Sequence, residues 1–234
     1  MGILSNNKNE NNLDRVANLN NPISKKALII FTKNPELGKC KTRLAKTIGN
    51  KAALEVYKHL LQHTSTVTEQ IQADKFVFYS ESIRKNDIWD DIIFRKKFQQ
   101  GNDLGDKMKQ AFNELFQSGY EKVVIIGSDL FDLEVGHINN AFDALDTTQC
   151  VLGPAQDGGY YLLGLTKMLP FIFENKSWST SKLWTETLND LKENSVAFTT
   201  LEILNDIDTF DDLTASKSYQ SNAELQQKIK QIHD

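Results

Sequence analysis

Apolar residues along this chain fall into short blocks whose spacing switches between continuous runs and helical intervals. Ala27-Leu28-Ile29-Ile30-Phe31-Thr32 is a partly β-branched run suited to a strand buried on both faces. Over residues 52–71 the spacing becomes helical, with Leu54, Tyr57, Leu60 and Leu61 recurring on one side. Residues 76–79 predict a second strand, and Leu104, Met108, Ala111, Phe112 and Leu115 a second helix. Val123-Val124-Ile125-Ile126 is the most hydrophobic strand; residues 138–145 read as a short helix, Val151-Leu152 and residues 160–163 as strands. A helix around 182–193, a strand around 197–201 and an amphipathic helix from about Ala223 complete the pattern. Strands alternating with helices make βαβ units, so the expectation is a three-layer α/β/α domain around a mainly parallel sheet.

Residues 6–21 are rich in Asn, show no period and lack the apolar surface to offset ordering entropy. They predict a disordered tail over residues 1–22 and a single domain over 23–234. A length of 234 residues with 40% hydrophobic content fits one core. The formal charge of −4 argues against a broad electrostatic footprint for nucleic acid or an anionic membrane, so phosphate recognition must be local. No run approaches the roughly 20 apolar residues of a membrane span, and the start lacks the apolar centre of a secretory signal. The location expected is cytoplasmic. Met1-Gly2-Ile3-Leu4-Ser5-Asn6 has Asn where the myristoylation pattern wants Ser or Thr. Cys40 and Cys150 are too few for a disulfide framework and lack zinc-site spacing, which predicts reduced thiols. No feature of the sequence sets an oligomeric state.

In open parallel sheets ligands lie beyond the carboxyl ends of strands, so the segments after each strand carry the chemistry. Four stand out. Lys33-Asn34-Pro35-Glu36-Leu37-Gly38-Lys39-Cys40-Lys41-Thr42-Arg43-Leu44 runs from the first strand into a helix. Gly38 permits close backbone approach, and Lys33, Lys41, Thr42 and Arg43 offer donors to phosphate oxygens near a helix N-terminus. Its glycine spacing fits neither a Walker A loop nor the dinucleotide fingerprint, and a solvated basic turn is the other reading. Gly127-Ser128-Asp129 follows the most hydrophobic strand, where the Asp129 carboxylate suits a hard cation bridging donor phosphates; a turn cap is the alternative.

Gly153-Pro154-Ala155-Gln156-Asp157-Gly158-Gly159-Tyr160-Tyr161 contains a strong hairpin signal. Functionally it would place Asp157 as a base or hydroxyl-orienting group for an acceptor admitted by Gly158, Gly159 and Tyr160. In Asn205-Asp206-Ile207-Asp208-Thr209 the alternation points Asp206 and Asp208 the same way, completing an oxygen-rich metal site, or else Asp208 or Thr209 caps the next helix. His59 and His63 lack a third ligand and read as structural, and Trp178 and Trp184 read as core ahead of a sugar or base platform.

Taken together, the segments from Ala27 to Leu213 resemble the bacterial GT-A-like proteins of unassigned activity that are labelled radical-SAM/selenodomain-associated transferases or glycosyltransferases, within the nucleotide-diphosphosugar transferase superfamily. The pieces carrying the resemblance are Lys41-Thr42-Arg43-Leu44, Gly101-Asn102-Asp103-Leu104-Gly105-Asp106-Lys107-Met108, Gly127-Ser128-Asp129, the stretch from Gly153 to Tyr161, and Asp206-Ile207-Asp208-Thr209. The family is also similar to phospholactate and molybdenum-cofactor guanylyltransferases. The resemblance implies Lys41 and Arg43 on donor phosphates, Asp103 and Gly105 near the nucleotide, and Asp129 and Asp208 on a divalent cation, Mg or Mn. Leu130-Phe131 departs from the usual small residue or Cys followed by Pro, which implies a reshaped acceptor side, and Lys107 replaces the usual Arg.

Three functions are the resulting expectations. The first is glycosyl transfer from a nucleotide-sugar to a small-molecule acceptor. The second is nucleotidyl transfer from an NTP to a phosphorylated acceptor. The third is nucleotide binding without turnover, motivated by Leu130-Phe131.

Overall fold

The computed structural model describes residues 22–233, so all but the last residue of the expected tail lies outside the described residues. Seven strands among them form one sheet: β1 (Lys26–Thr32), β2 (Asp74–Tyr79), β3 (Phe94–Phe98), β4 (Lys122–Ile126), β5 (Cys150–Pro154), β6 (Tyr160–Leu165) and β7 (Phe198–Thr200). Their order is β3-β2-β1-β4-β6-β5-β7. Every neighbouring pair is parallel except those made by β6, which runs antiparallel to β4 and β5. The expected three-layer, mainly parallel α/β architecture is therefore present.

The alternation of side chains along each strand divides the core in two. Leu28, Ile30, Val77, Val124, Ile126 and Val151 face one layer, packed by α1 (Thr42–Glu69), α3 (Val135–Ala144) and α7 (Ala223–His233). Ala27, Ile29, Phe76, Phe78, Ile125 and Leu152 face the other, packed by α2 (Leu104–Gln117) and α4 (Leu183–Glu193). Cys40 belongs to the first layer and Cys150 to the second, so the sheet separates them and both are free thiols.

Two features differ from the sequence reading. β3, Phe-Arg-Lys-Lys-Phe, has no apolar alternation because its charges are neutralised by neighbours: Arg95 by Asp74 at 3.7 Å, Lys96 by Asp87 and Asp91 at 2.9 and 2.7 Å, Lys97 by Glu114. Lysines on an outer strand also discourage edge-to-edge association. The helix expected from residue 52 starts ten residues earlier, because Gly49 adopts φ 78 and lets a first segment from Thr42, anchored by buried Leu44 and Ile48, join the longer one at a kink. Two short helices, α5 (Phe210–Ala215) and α6 (Lys217–Gln220), precede α7. No helix among the described residues is long and apolar enough to cross a membrane.

Candidate active site at the strand ends

Because β5 and β7 run in the same direction as β1 and β4, the segments that succeed all four strands emerge at one edge of the sheet. The loop after β1 is fixed from behind. Tyr57 on α1 donates its hydroxyl to the Lys33 carbonyl at 3.1 Å and accepts the Lys33 N–H at 3.0 Å. Asn34, 3% exposed, clamps the same loop to the segment after β2, donating to the Ser82 carbonyl at 2.8 Å and accepting from the N–H groups of Glu81 and Ser82. Gly38 turns the loop at φ 76, and Lys41 ends it in the left-handed region at φ 50. No side chain caps the helix that starts at Thr42, which leaves its first N–H groups for water or a ligand oxygen.

The acidic side is assembled from three strand ends. Residues 204–208 lie between the other two: Leu204 N–H donates to the Pro154 carbonyl and Gln156 N–H to the Leu204 carbonyl, both at 3.1 Å, while Ile207 N–H donates to the Asp129 carbonyl at 3.0 Å. With Ile207 buried, its neighbours Asp206 and Asp208 turn toward the strand ends as alternation predicts. Asp129, Asp206 and Asp208 each offer a carboxylate oxygen, and these atoms all lie within 4.8 Å of one another. Gly127 allows the fold-back of Asp129, since a Cβ there would stand 2.8 Å from its Oδ1. Asp206 and Asp208 line a cleft of about 320 Å³ with Arg43, Gln156, Asp157 and Asp212.

Lys41 is the cation of this group, with Nζ 3.1 Å from Asp129 Oδ2 and 3.1 Å from Asp208 Oδ1. Arg43 Nη1 lies 3.6 Å from Asp208 Oδ2. Burial works against the Lys41 charge, but the carboxylates of Asp129 and Asp208 outweigh it and hold its pKa up at about 12. Burial likewise acts to raise the Asp129 carboxyl, and the Lys41 ammonium overrides it, keeping Asp129 below the usual range. Asp206 makes no ion pair among the described residues, and the Lys41 charge opposes its rise only in part. Burial first, then repulsion from Asp129, Asp157 and Asp208, raises Asp206 to about 6.

The remaining candidates separate into two kinds. Asp157 lines the cleft and also closes the β5–β6 hairpin, its Oδ1 accepting Gly159 N–H at 2.8 Å. Gly158, at φ 91, lies against the Ser181 backbone, where a Cβ would stand 2.6 Å away. Ser128 is buried and reaches Thr32 Oγ1 at 3.4 Å. Asp103 and Gly105 are held by structural contacts: Asp103 caps α2 by accepting Asp106 N–H at 2.8 Å, and Gly105 is buried against the Trp178 indole. Tyr160 packs against the second core layer with its hydroxyl toward Thr187 and lines a separate apolar pocket beside Gly127, not the acid cleft. Leu130 and Phe131 pack in the core, with Phe131 edge-on to His63, and do not line the acid cleft. His59 and His63 bond backbone carbonyls, in keeping with their structural reading.

Sequence reasoning missed the supports. Tyr57 is spaced like any core residue, and Asn34 stands unmarked inside the basic loop. Asp212 had a visible signal, since Thr209 lies three residues before it. Thr209 caps α5 in a reciprocal box with Asp212, and Asp212 Oδ2 accepts the N–H groups of Asp208 at 3.2 Å and Thr209 at 2.7 Å.

The mixed seven-stranded sheet with helices on both faces is a nucleotide-diphosphosugar transferase-like fold. The chain belongs to the bacterial family of uncharacterized conserved proteins DUF2064, whose profile matches residues 62–180. It is similar to a protein of Desulfovibrio desulfuricans G20 provisionally named a nucleotide-diphospho-sugar transferase, at 28% identity and TM-score 0.76 over 90% of this chain and 97% of that one. The fold also matches the inositol-1-phosphate CTP transferase of T. maritima at 15% identity and TM-score 0.52, covering 87% of this chain and 96% of that one. A third match is 4-diphosphocytidyl-2C-methyl-D-erythritol synthase of Anaerococcus prevotii DSM 20548, at 13% identity and TM-score 0.52, covering 83% of this chain and 97% of that one. The first two of these neighbours are transferases by name and the third is a synthase. No curated protein matches the chain in sequence.

Proposed function

We propose that this protein is a metal-dependent transferase acting on a nucleotide-linked donor, with glycosyl transfer from a nucleotide-sugar as its reaction. One observation carries the reading: three carboxylates, Asp129, Asp206 and Asp208, converge within 4.8 Å at the strand ends beside a basic helix start. An all-oxygen donor set suits a hard cation such as Mg or Mn, and such an ion would neutralise the diphosphate as it leaves. Arg43, 72% exposed at the mouth of the cleft, and the uncapped N–H groups of α1 are free to take phosphate oxygens. In this reading Lys33, whose charge reaches Asp129, and Thr42 at the helix start add further donors for the phosphates. In the same reading Asp157, which lines the cleft, orients an acceptor hydroxyl and takes its proton as the new bond forms.

Nucleotidyl transfer is the second reading, favoured by the proximity of Lys41 and Arg43 to the acid group, which suits the departure of pyrophosphate from an NTP. The non-catalytic reading loses its motive, because Leu130 and Phe131 fill the core while all four aspartates remain at the edge. A thermal-shift series of NTPs and nucleotide-sugars, each with and without Mn, tests the choice, since a ligand that binds only the native state raises its apparent stability. A Mn-dependent shift confined to nucleotide-sugars is the expected result. Preference for a free triphosphate would move the assignment to nucleotidyl transfer, and no shift with either class would remove the donor.

A further inference from the structure

Lys41 is not placed like a phosphate-binding lysine on an open loop. Its side chain is 5% exposed, and its ammonium bridges Asp129 and Asp208, two of the three carboxylates that converge on one point. The left-handed backbone at Lys41, with φ 50 and ψ 47, is an uncommon conformation for a residue with a Cβ. The first turns of α1 hold it there, since Leu44 and Ile48 are buried and Ala45 N–H bonds the Lys41 carbonyl at 2.8 Å. Arg43, on the same helix start, is exposed and can swing to a ligand without leaving a buried charge unpaired. Lys41 has no such freedom. Withdrawing its ammonium leaves two partly buried carboxylates facing each other and Asp206, a costly arrangement unless another cation replaces it.

Resting on the reading above, we propose that Lys41 is a built-in counter-ion that competes with a divalent cation for Asp129 and Asp208, and that donor phosphates admit the cation by accepting the ammonium. A cation arriving alone meets carboxylates already neutralised. One arriving with a diphosphate or triphosphate finds the ammonium an alternative partner, so cation and phosphate bind with positive coupling, each raising the affinity of the other by the same factor. Mixed occupancy is disfavoured, and the site fills as a unit.

The test is Mn binding to the full chain without nucleotide, monitored by the electron paramagnetic resonance of free Mn. Lys41→Met is expected to bind Mn tighter than the unaltered chain by about tenfold or more. A lysine with only a structural role would leave that affinity unchanged or weakened, and either result overturns the proposal. Should Lys41→Met fail to fold, the unaltered chain supplies the second reading. Acylation of Lys41 by an N-hydroxysuccinimide ester, quantified by mass spectrometry, is expected to rise severalfold when Mn saturates the protein, and an unchanged yield overturns the displacement. Equal Mn affinity in both proteins sinks the Lys41 proposal alone. Absence of Mn binding in both sinks the metal-dependent reading with it.

Discussion

The two halves of the sheet contribute opposite charges to one edge by different routes. The half made of β3, β2, β1 and β4 is parallel throughout, and a single loop after β1 delivers Lys33, Lys41 and Arg43. The half made of β6, β5 and β7 contains the reversed strand and delivers Asp157, Asp206 and Asp208 from segments far apart in sequence. The reversal is what makes this possible. A parallel successor to β5 would require a crossover, usually a helix, whereas the antiparallel β6 needs only a hairpin, whose turn stays at the same edge and bonds residue 204. Asp129 stands at the border, its carboxylate paired with Lys41 and its backbone carbonyl accepting the Ile207 N–H, while Asp208 pairs with the same lysine from the other half.

The largest effect should come from breaking that border. Asp129→Ala removes a carboxylate from the converging set and one of the two anions that hold Lys41. Turnover is expected to fall by at least about a hundredfold, and the Mn-dependent thermal shift with a nucleotide donor should vanish. An unchanged shift would take Asp129 out of the cation site and leave the two halves without a common ligand.

A second variant tests how tightly the flanking loop ties the halves together. Gly105 on α2 belongs to the parallel side, and its Cα stands where a Cβ would come within 2.4 Å of the Trp178 indole nitrogen, on the segment leading to α4. Gly105→Ala should lower stability by about 1–3 kcal/mol through overpacking, measured by urea unfolding. Trp178→Ala in the same background should return part of that loss. If the two substitutions are simply additive, the contact does not join the halves.

The same contrast explains what the sequence made legible. In the parallel half β1, β2 and β4 were readable because they are apolar runs, such as Val123-Val124-Ile125-Ile126, and the charged loop was readable because it is continuous in sequence. In the other half the alternation of Asp206 and Asp208 was visible, but not the pairing that brings it beside Asp129. That pairing rests on backbone hydrogen bonds at Leu204, Gln156 and Ile207, which no side-chain pattern encodes. β3 was hidden because its charges are neutralised only in three dimensions. Trp178 illustrates the same limit: its packing against Gly105 joins positions 73 residues apart (178 − 105), and neither residue type announces the other.

Tyr57 offers a smaller and more local test on the parallel side. Its hydroxyl serves both the N–H and the carbonyl of Lys33, so Tyr57→Phe leaves that peptide partly unsatisfied at a cost of about 1–3 kcal/mol. The expected signature is a loss of donor affinity larger than the loss of Mn affinity, because the loop moves while the acid cluster stays in place. Equal losses in calorimetry would mean that the two halves cannot be loosened separately.

The smallest effect probes the acidic half through pH. Asp206 has its pKa raised from 3.8 to about 6 in the folded chain, with burial as the first cause and neighbouring carboxylates as the second. Between those values the native state holds a proton that the unfolded chain releases, so metal-free stability should fall as pH rises across that window and level off above it. Asp129 and Asp212 are shifted the opposite way, so their contributions are present above the ordinary carboxyl range and lost only as pH falls below it. The windows therefore do not overlap. A single group can contribute a slope of at most about 1.4 kcal/mol per pH unit, and the open cleft screens Asp206 to well below that limit. Asp206→Asn should abolish the decline between about pH 4 and about pH 6 in urea midpoints. A slope that survives the substitution would place the crowded charge on another member of the cluster and make Asp206 an ordinary surface carboxylate.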